Sequence, residues 1–179
     1  MQLRNGSLLM SEEEFLQTSF DPEVDFVNGE IWERGMGSKD HASWQLAIAM
    51  WFQNHSREWG IKVYPELTIK VNKDGDYLIA DVAVLDKSDD SEKYPTKPPI
   101  AVFEVRSPDQ AMDKHYKKFK LYAEMGVENI WFVDPEDEIF KRWMNDELQP
   151  HLAFRYPAFD NNKQPRILFQ LHKIKDLLQ

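Results

Sequence analysis

The chain of 179 residues carries a formal net charge of −9, is 42% hydrophobic and 30% charged, and contains no cysteine. A chain of this length and composition is expected to form a single domain over residues 1–179 with a real hydrophobic core, which excludes an intrinsically disordered protein. The lack of cysteine excludes disulfides and thiolate metal centres, and the acidic balance argues against a protein that coats nucleic acid by charge alone.

The opening stretch "MQLRNGSLLMSEEEF" has no long apolar core and no cleavage pattern, and no segment reaches the roughly 18 apolar residues of a membrane-spanning helix. The expectation is a cytoplasmic protein without a membrane partner. Ser11 with Glu14 forms a capping box that opens a short helix. "VDFVNGEIWERG" alternates around Asn28-Gly29, a strong hairpin signal. A helix is predicted from about Lys39 to Trp59, capped by Asp40, stopped by Gly60, with Trp44, Ile48 and Trp51 as its apolar stripe.

"IKVYPELTIKV" (Ile61 to Val71) reads as a strand, and "NKDGD" turns the chain into a second strand, "YLIADVAVL". A polar loop from Asp86 to Pro99 leads to a third strand, "IAVFEV". Ser107-Pro108 is expected to start a helix, capped at Ser107 or Asp109 and ending at Gly126. "VENIWFVD" and "EIFKRWM" add two strands around the turn "PEDE", and the tail holds an aromatic strand region and a last helical turn at "KIKDLLQ". No internal repeat is visible. The order predicts an α/β or α+β fold: a mixed sheet flanked by helices, with an N-terminal hairpin.

Two of these strands carry an acid where an apolar side chain would serve. Strand period places Asp81 with Tyr77, Ile79, Ala83 and Leu85, and Glu104 with Ile100, Val102 and Arg106. If the two strands are neighbours with these faces aligned, the carboxylates converge, and buried carboxylates need a partner. Mg²⁺, bound through one or two carboxylates, is one such partner. An ion pair with Lys or Arg, or a frayed strand end, is the plain alternative.

On the following helix, Lys114, Lys118 and Tyr122 recur every four residues, beside an apolar stripe of Met112, Tyr116, Phe119 and Ala123. Lys118 is thereby placed at the edge of the buried face. Lys114, His115, Lys117 and Lys120 read as a solvated basic face. Glu66 alternates with Tyr64, Thr68 and Lys70, and His41 opens its helix; both are candidates of second rank.

"ADVAVL", "FEVRSP", a lysine four before a tyrosine, and "GVENIWFVDP" occur here in that order. Together with "VDFVNGEIWE" and His41 they resemble the Uma-type restriction endonuclease family of the PD-(D/E)XK nuclease superfamily, over roughly Asp25 to Trp143. The resemblance implies a restriction-endonuclease-like fold and metal-dependent phosphodiester hydrolysis. By it, Asp81 matches the motif aspartate, although Ala80 precedes it in place of the usual proline. Glu104 matches the second acid. Arg106 stands where the superfamily has lysine, and Lys118 is the expected substitute; Lys114 stands where many members have an aspartate.

The implied site therefore has Asp81, Glu104 and the Val105 carbonyl holding Mg²⁺, or Mn²⁺ in its place. Lys118 would orient water or stabilise charge, Arg106 could clamp phosphate, and Glu66, His41 and Tyr122 stand in reserve. The implied partner is nucleic acid, DNA first. Cutting both strands of a duplex favours a homodimer, and the absence of a recognisable base-reading module leaves room for a specificity partner. Two other readings stay open. One is a binding or regulatory module that retains the fold without cleavage. The other is an oligomerisation module built on Trp143, Phe154, Tyr156 and Phe159.

Overall fold

The computed structural model describes residues 2–4, 7–91, 93–108, 110–151, 153–156, 167–170 and 172–178. In chain order these form β1 (Gln2–Arg4), β2 (Ser7–Leu9), α1 (Glu12–Gln17), β3 (Val24–Val27), β4 (Glu30–Glu33), α2 (Lys39–Asn54), α3 (Ser56–Trp59), β5 (Ile61–Lys70), β6 (Tyr77–Asp86) and β7 (Ala101–Val105). There follow α4 (Met112–Met125), β8 (Asn129–Asp134), β9 (Ile139–Met144), β10 (Glu147–Pro150), β11 (Ala153–Tyr156), β12 (Ile167–Gln170) and α5 (His172–Lys175). No helix among the described residues is long and apolar enough to cross a membrane.

Local chemistry explains most of the early elements. The Ser11–Glu14 capping box closes as expected, the Ser11 hydroxyl accepting from the Glu14 N–H and the Glu14 carboxylate from the Ser11 N–H. Asn28 and Gly29 both take positive φ, 52° and 81°, which is what a two-residue hairpin turn between twisted strands requires. Ser38, not Asp40, caps α2, its hydroxyl accepting from the His41 N–H at 3.1 Å. The helix expected to continue to Trp59 breaks at His55. Its ring Nδ1 lies 2.8 Å from the Trp51 carbonyl, and its own N–H turns to the Phe52 carbonyl, so the regular ladder stops there.

The main sheet has eight strands in the order β10-β9-β8-β7-β6-β3-β4, with β5 paired to β6 off that path. The β7–β8 pair is parallel and its neighbours are antiparallel, a mixed sheet as expected. Alternation along the central strands divides the core. Phe103, Val105, Trp131 and Val133 pack with Trp44, Ile48, Trp51 and Phe52 of α2. Val102, Ile130 and Phe132 pack on the opposite face with Phe119 and Tyr122 of α4.

Four expectations about the later elements need correcting. The α4 helix begins at Met112 rather than beside Ser107; Ala111 is its cap residue, and Asp109 lies outside the described residues. Its buried stripe is His115, Lys118, Phe119 and Tyr122, whereas Tyr116 is exposed. The helix is turned so that a lysine faces the sheet, because the sheet offers that lysine acids. His115, expected on a solvated face, is fully buried against Phe119 and Phe132. Trp143 is likewise buried, packed on Phe119 and Tyr116, and is not an oligomerisation anchor. The side chains of Phe154 and Tyr156, and all of Phe159, lie outside the described residues.

Candidate active site

The site forms where the sheet splits. β5 runs along the whole of one edge of β6, from Ile61 opposite Asp86 to Lys70 opposite Tyr77. The other edge is shared: β3 takes one end, Phe26 opposite Tyr77, and β7 the other, with Val82 to Val84 opposite Phe103 to Ala101. Between the two ladders Ile79 turns its backbone groups toward the gap, and side chains serve them. The Ile79 N–H donates to Asp25 Oδ1 at 2.7 Å, and the Ile79 carbonyl accepts from Lys118 Nζ at 2.8 Å.

Asp81 lies at the far side of the gap. One of its oxygens, Oδ2, accepts from the Val105 N–H at 2.6 Å and lies 3.3 Å from His41 Nε2. The other, Oδ1, accepts from Arg34 Nη2 at 2.5 Å. Arg34 also donates to Glu66, which stands opposite Asp81 in the β5–β6 pair, between the register partners Pro65–Val82 and Leu67–Ala80. Glu66 has φ of 49°, a left-handed conformation that costs a non-glycine residue about 1 kcal/mol or more. Gln45 holds it there, donating to Glu66 Oε1 at 2.6 Å and to the Asp81 carbonyl at 3.0 Å.

Glu104 continues the same register, one residue past the Val82–Phe103 pair, and by alternation faces α4. Its carboxylate accepts from Lys118 Nζ at 2.8 Å and from the Tyr122 hydroxyl at 2.9 Å. Lys118 also lies 3.5 Å from Asp25 Oδ2. Asp25, Asp81, Glu104 and Lys118 are all 3% exposed or less, so their charges answer to neighbouring protein groups rather than to water.

The balance is short of positive charge. Burial, reinforced by the Asp81 and Asp25 carboxylates and opposed by Lys118, pushes the Glu104 carboxyl up to about 7. For Asp81, burial works in the same direction, but the His41 bond, Arg34 and Lys118 outweigh it and hold the carboxyl below its ordinary value. Burial disfavours the charge on Lys118, yet Asp25 and Glu104 prevail and keep it protonated. Asp81 similarly outweighs burial at His41 and raises that imidazole.

Asp81, Glu104, Lys118, His41 and Glu66 thus meet around one cavity of about 240 Å³ that Arg34, Gln45 and Ser107 also line. Tyr122 is tied to it through Glu104. Arg106 is not brought in: it lies past the end of β7 and pairs with Asp134 at 2.8 Å, lining a separate cavity with Ser38 and Asp40. Val105 contributes its N–H to Asp81. Sequence reasoning missed Asp25, Arg34 and Gln45. Asp25 carried a usable signal, an acid inside the apolar run "VDFV"; Arg34 and Gln45 carried none, being ordinary polar residues of a loop and a helix.

By donor chemistry the hard carboxylate oxygens of Asp81, Glu104 and Glu66 suit Mg²⁺ or Mn²⁺. Arg34, bridging Asp81 and Glu66, is a positive group standing where their charge calls for a cation. The residues fit such an ion in kind, although no group of three or more His, Cys, Asp or Glu side chains among the described residues is arranged to hold one.

Beneath the site, neither ring nitrogen of His115 has a hydrogen-bond partner, and burial, with Lys118 nearby, pulls its pKa down to about 4. Its folded pKa is below the ordinary 6.5, so the unfolded chain binds the extra proton first and stability falls as pH drops from 6.5 toward 4. His115→Leu removes that loss. Relative to wild type, it is expected to gain about 3 kcal/mol between pH 7 and pH 4 in denaturant titrations. An unchanged difference across that range would refute the buried neutral imidazole.

Residues 12–158 match the family model Uma2, described as "Putative restriction endonuclease". Among solved structures, the chain is similar to "a putative nuclease belonging to DUF820" from Anabaena variabilis ATCC 29413. That likeness has a TM-score of 0.74 and 17% identity, covers 95% of this chain and 99% of the other, and shows the fold. It also matches part of the DrdV–DNA complex at TM-score 0.40 and 16% identity, covering 76% of this chain and 11% of that one. None of the curated proteins matches.

Proposed function

We propose that this chain, which belongs to that Uma2 family, is a metal-dependent endonuclease that hydrolyses phosphodiester bonds of DNA. The observation that carries the reading is the convergence of Asp81, Glu104 and Lys118 on one cavity with its buried acids short of positive charge.

Asp81 and Glu104 would hold Mg²⁺ or Mn²⁺, with the Val105 carbonyl as a further ligand. Bound there, the ion would polarise the phosphate and lower the pKa of a water. Hydrolysis forms a bond from water oxygen to phosphorus and breaks an ester P–O bond, so negative charge builds on the phosphoryl oxygens. Lys118 suits that charge: the acids around it hold its proton on, which makes it a fixed cation rather than a base. Asp25 and the Ile79 carbonyl fix the ammonium in place. The Val105 N–H and His41 fix the Asp81 carboxylate from the other side. Arg106, paired away with Asp134, takes no part.

The test is purified protein with supercoiled plasmid and with single-stranded DNA, in Mg²⁺ or Mn²⁺, beside Asp81→Asn. Wild type is expected to nick or linearise DNA. EDTA or Asp81→Asn should reduce the rate by more than about a hundredfold, since even outer-shell partners of a metal are worth 10- to 100-fold. Cleavage that survives both would sink the assignment.

A further inference from the structure

We propose that Arg34 is an internal counter-ion held between Asp81 and Glu66, so that a divalent ion bound through Asp81 and the Arg34 guanidinium exclude one another. The inference rests on the metal-dependent reading above and adds a residue that works against metal binding in the free protein.

Three observations carry it. The first is geometric: the two ends of one guanidinium are split between Asp81 and Glu66, the acids that face each other across β5 and β6. A guanidinium holds two carboxylates together through directed bonds, and an oxygen-seeking ion would need the same lone pairs. The second is strain. Glu66 leaves the extended conformation of its strand, with φ of 49°, at the very position opposite Asp81. In that conformation its carboxylate is bonded by Arg34 and by Gln45, so the distortion serves the acid pair rather than the sheet. The third is attachment. Arg34 lies just past the end of β4, and its side chain is held in the cavity by the two carboxylates. The next residue, Gly35, is firmly seated: a Cβ there would come within 2.9 Å of the Ser107 Cβ, so the chain stays against the loop before α4. The guanidinium can therefore leave by side-chain rotation while its backbone remains in place.

The consequence is that the acids need not wait unpaired for metal. Asp81 keeps the Val105 N–H and His41 when Arg34 departs, so departure does not leave that carboxylate bare. A divalent ion must then displace one positive charge to gain its ligands, which weakens its binding to the resting protein.

Mn²⁺ binding, followed by the loss of the free-ion electron paramagnetic resonance signal, tests the competition. Wild type is compared with Arg34→Met, Arg34→Lys, Arg34→Met/Asp81→Asn, and Lys114→Met, which removes a neighbouring positive charge that contacts the Glu33 carbonyl. Arg34→Met is expected to bind Mn²⁺ at least tenfold more tightly, Arg34→Lys in between, Lys114→Met like wild type, and the double variant not measurably. Near-ultraviolet circular dichroism confirms folding of each, and Arg34→Lys decides the matter if Arg34→Met does not fold. Equal or weaker binding by folded Arg34→Met or Arg34→Lys, with Asp81-dependent binding in wild type, overturns the counter-ion while leaving the metal site standing. Absence of Mn²⁺ binding in every form overturns both. Equal tightening by Lys114→Met reduces the effect to general charge and overturns the exclusion.

Discussion

Glu104→Gln is expected to raise the stability of the metal-free protein at pH 8 by about 3 kcal/mol while abolishing cleavage. The sign is set by the direction of the shift. Glu104 holds its proton to about 7 in the fold, whereas the unfolded chain releases it near the ordinary 4.5. Between those values the native state binds more protons than the unfolded state, so stability falls as pH rises, and the loss is complete above 7. Glutamine does not ionise, keeps one oxygen to accept from Lys118, and can turn its amide N–H toward the Tyr122 hydroxyl oxygen. Lys118 keeps Asp25 as a charged partner, so the variant leaves no bare cation. The gain should vanish below pH 4.5, where the wild-type carboxyl is protonated in both states. Chemical denaturation at pH 4 and pH 8 measures it; a variant no more stable than wild type at pH 8 would show that Lys118 already neutralises Glu104 in full. A residue that costs stability in the resting protein, yet is required for activity, is what a site awaiting a cation predicts.

The positions of Asp81 and Glu104 were legible because strand periodicity is strict: an acid in a run buried on both faces conflicts with its surroundings, and the conflict shows in four or five residues. Lys118 was harder. Its helix offered two plausible stripes, and hydrophobicity favoured Met112, Tyr116, Phe119 and Ala123. The other stripe won because a buried lysine can be stabilised by acids on a neighbouring strand, which no local pattern records. His115 went unread for the same reason, carried inward by its place three residues before Lys118. The gap in the edge of β6 is a property of topology. It arises because β3 and β7 meet that edge at different ends, and it places Asp25 against Ile79. Arg34 and Gln45 join the site across 47 and 36 residues of chain, distances over which sequence spacing says nothing.

Lys118→Met carries the largest expected loss, about 3–5 kcal/mol at pH 8, together with loss of cleavage. Methionine is unbranched and close to lysine in volume, so packing changes little. What is lost is the cation that Asp25, Glu104 and the Ile79 carbonyl share. Glu104 then escapes the cost of its burial only by taking up a proton, which ties the damage to pH. At pH 5 Glu104 is already neutral, so the variant should recover much of its deficit there, whereas a packing defect would persist at both values. Combining it with Glu104→Gln should restore stability at pH 8 well beyond the sum of the single effects, because the second change removes the charge that the first left unpaired. Cleavage should stay absent in the double variant. Additive effects on stability would mean that Lys118 and Glu104 are neighbours without being partners, and the pair would lose its place as the electrostatic centre of the site.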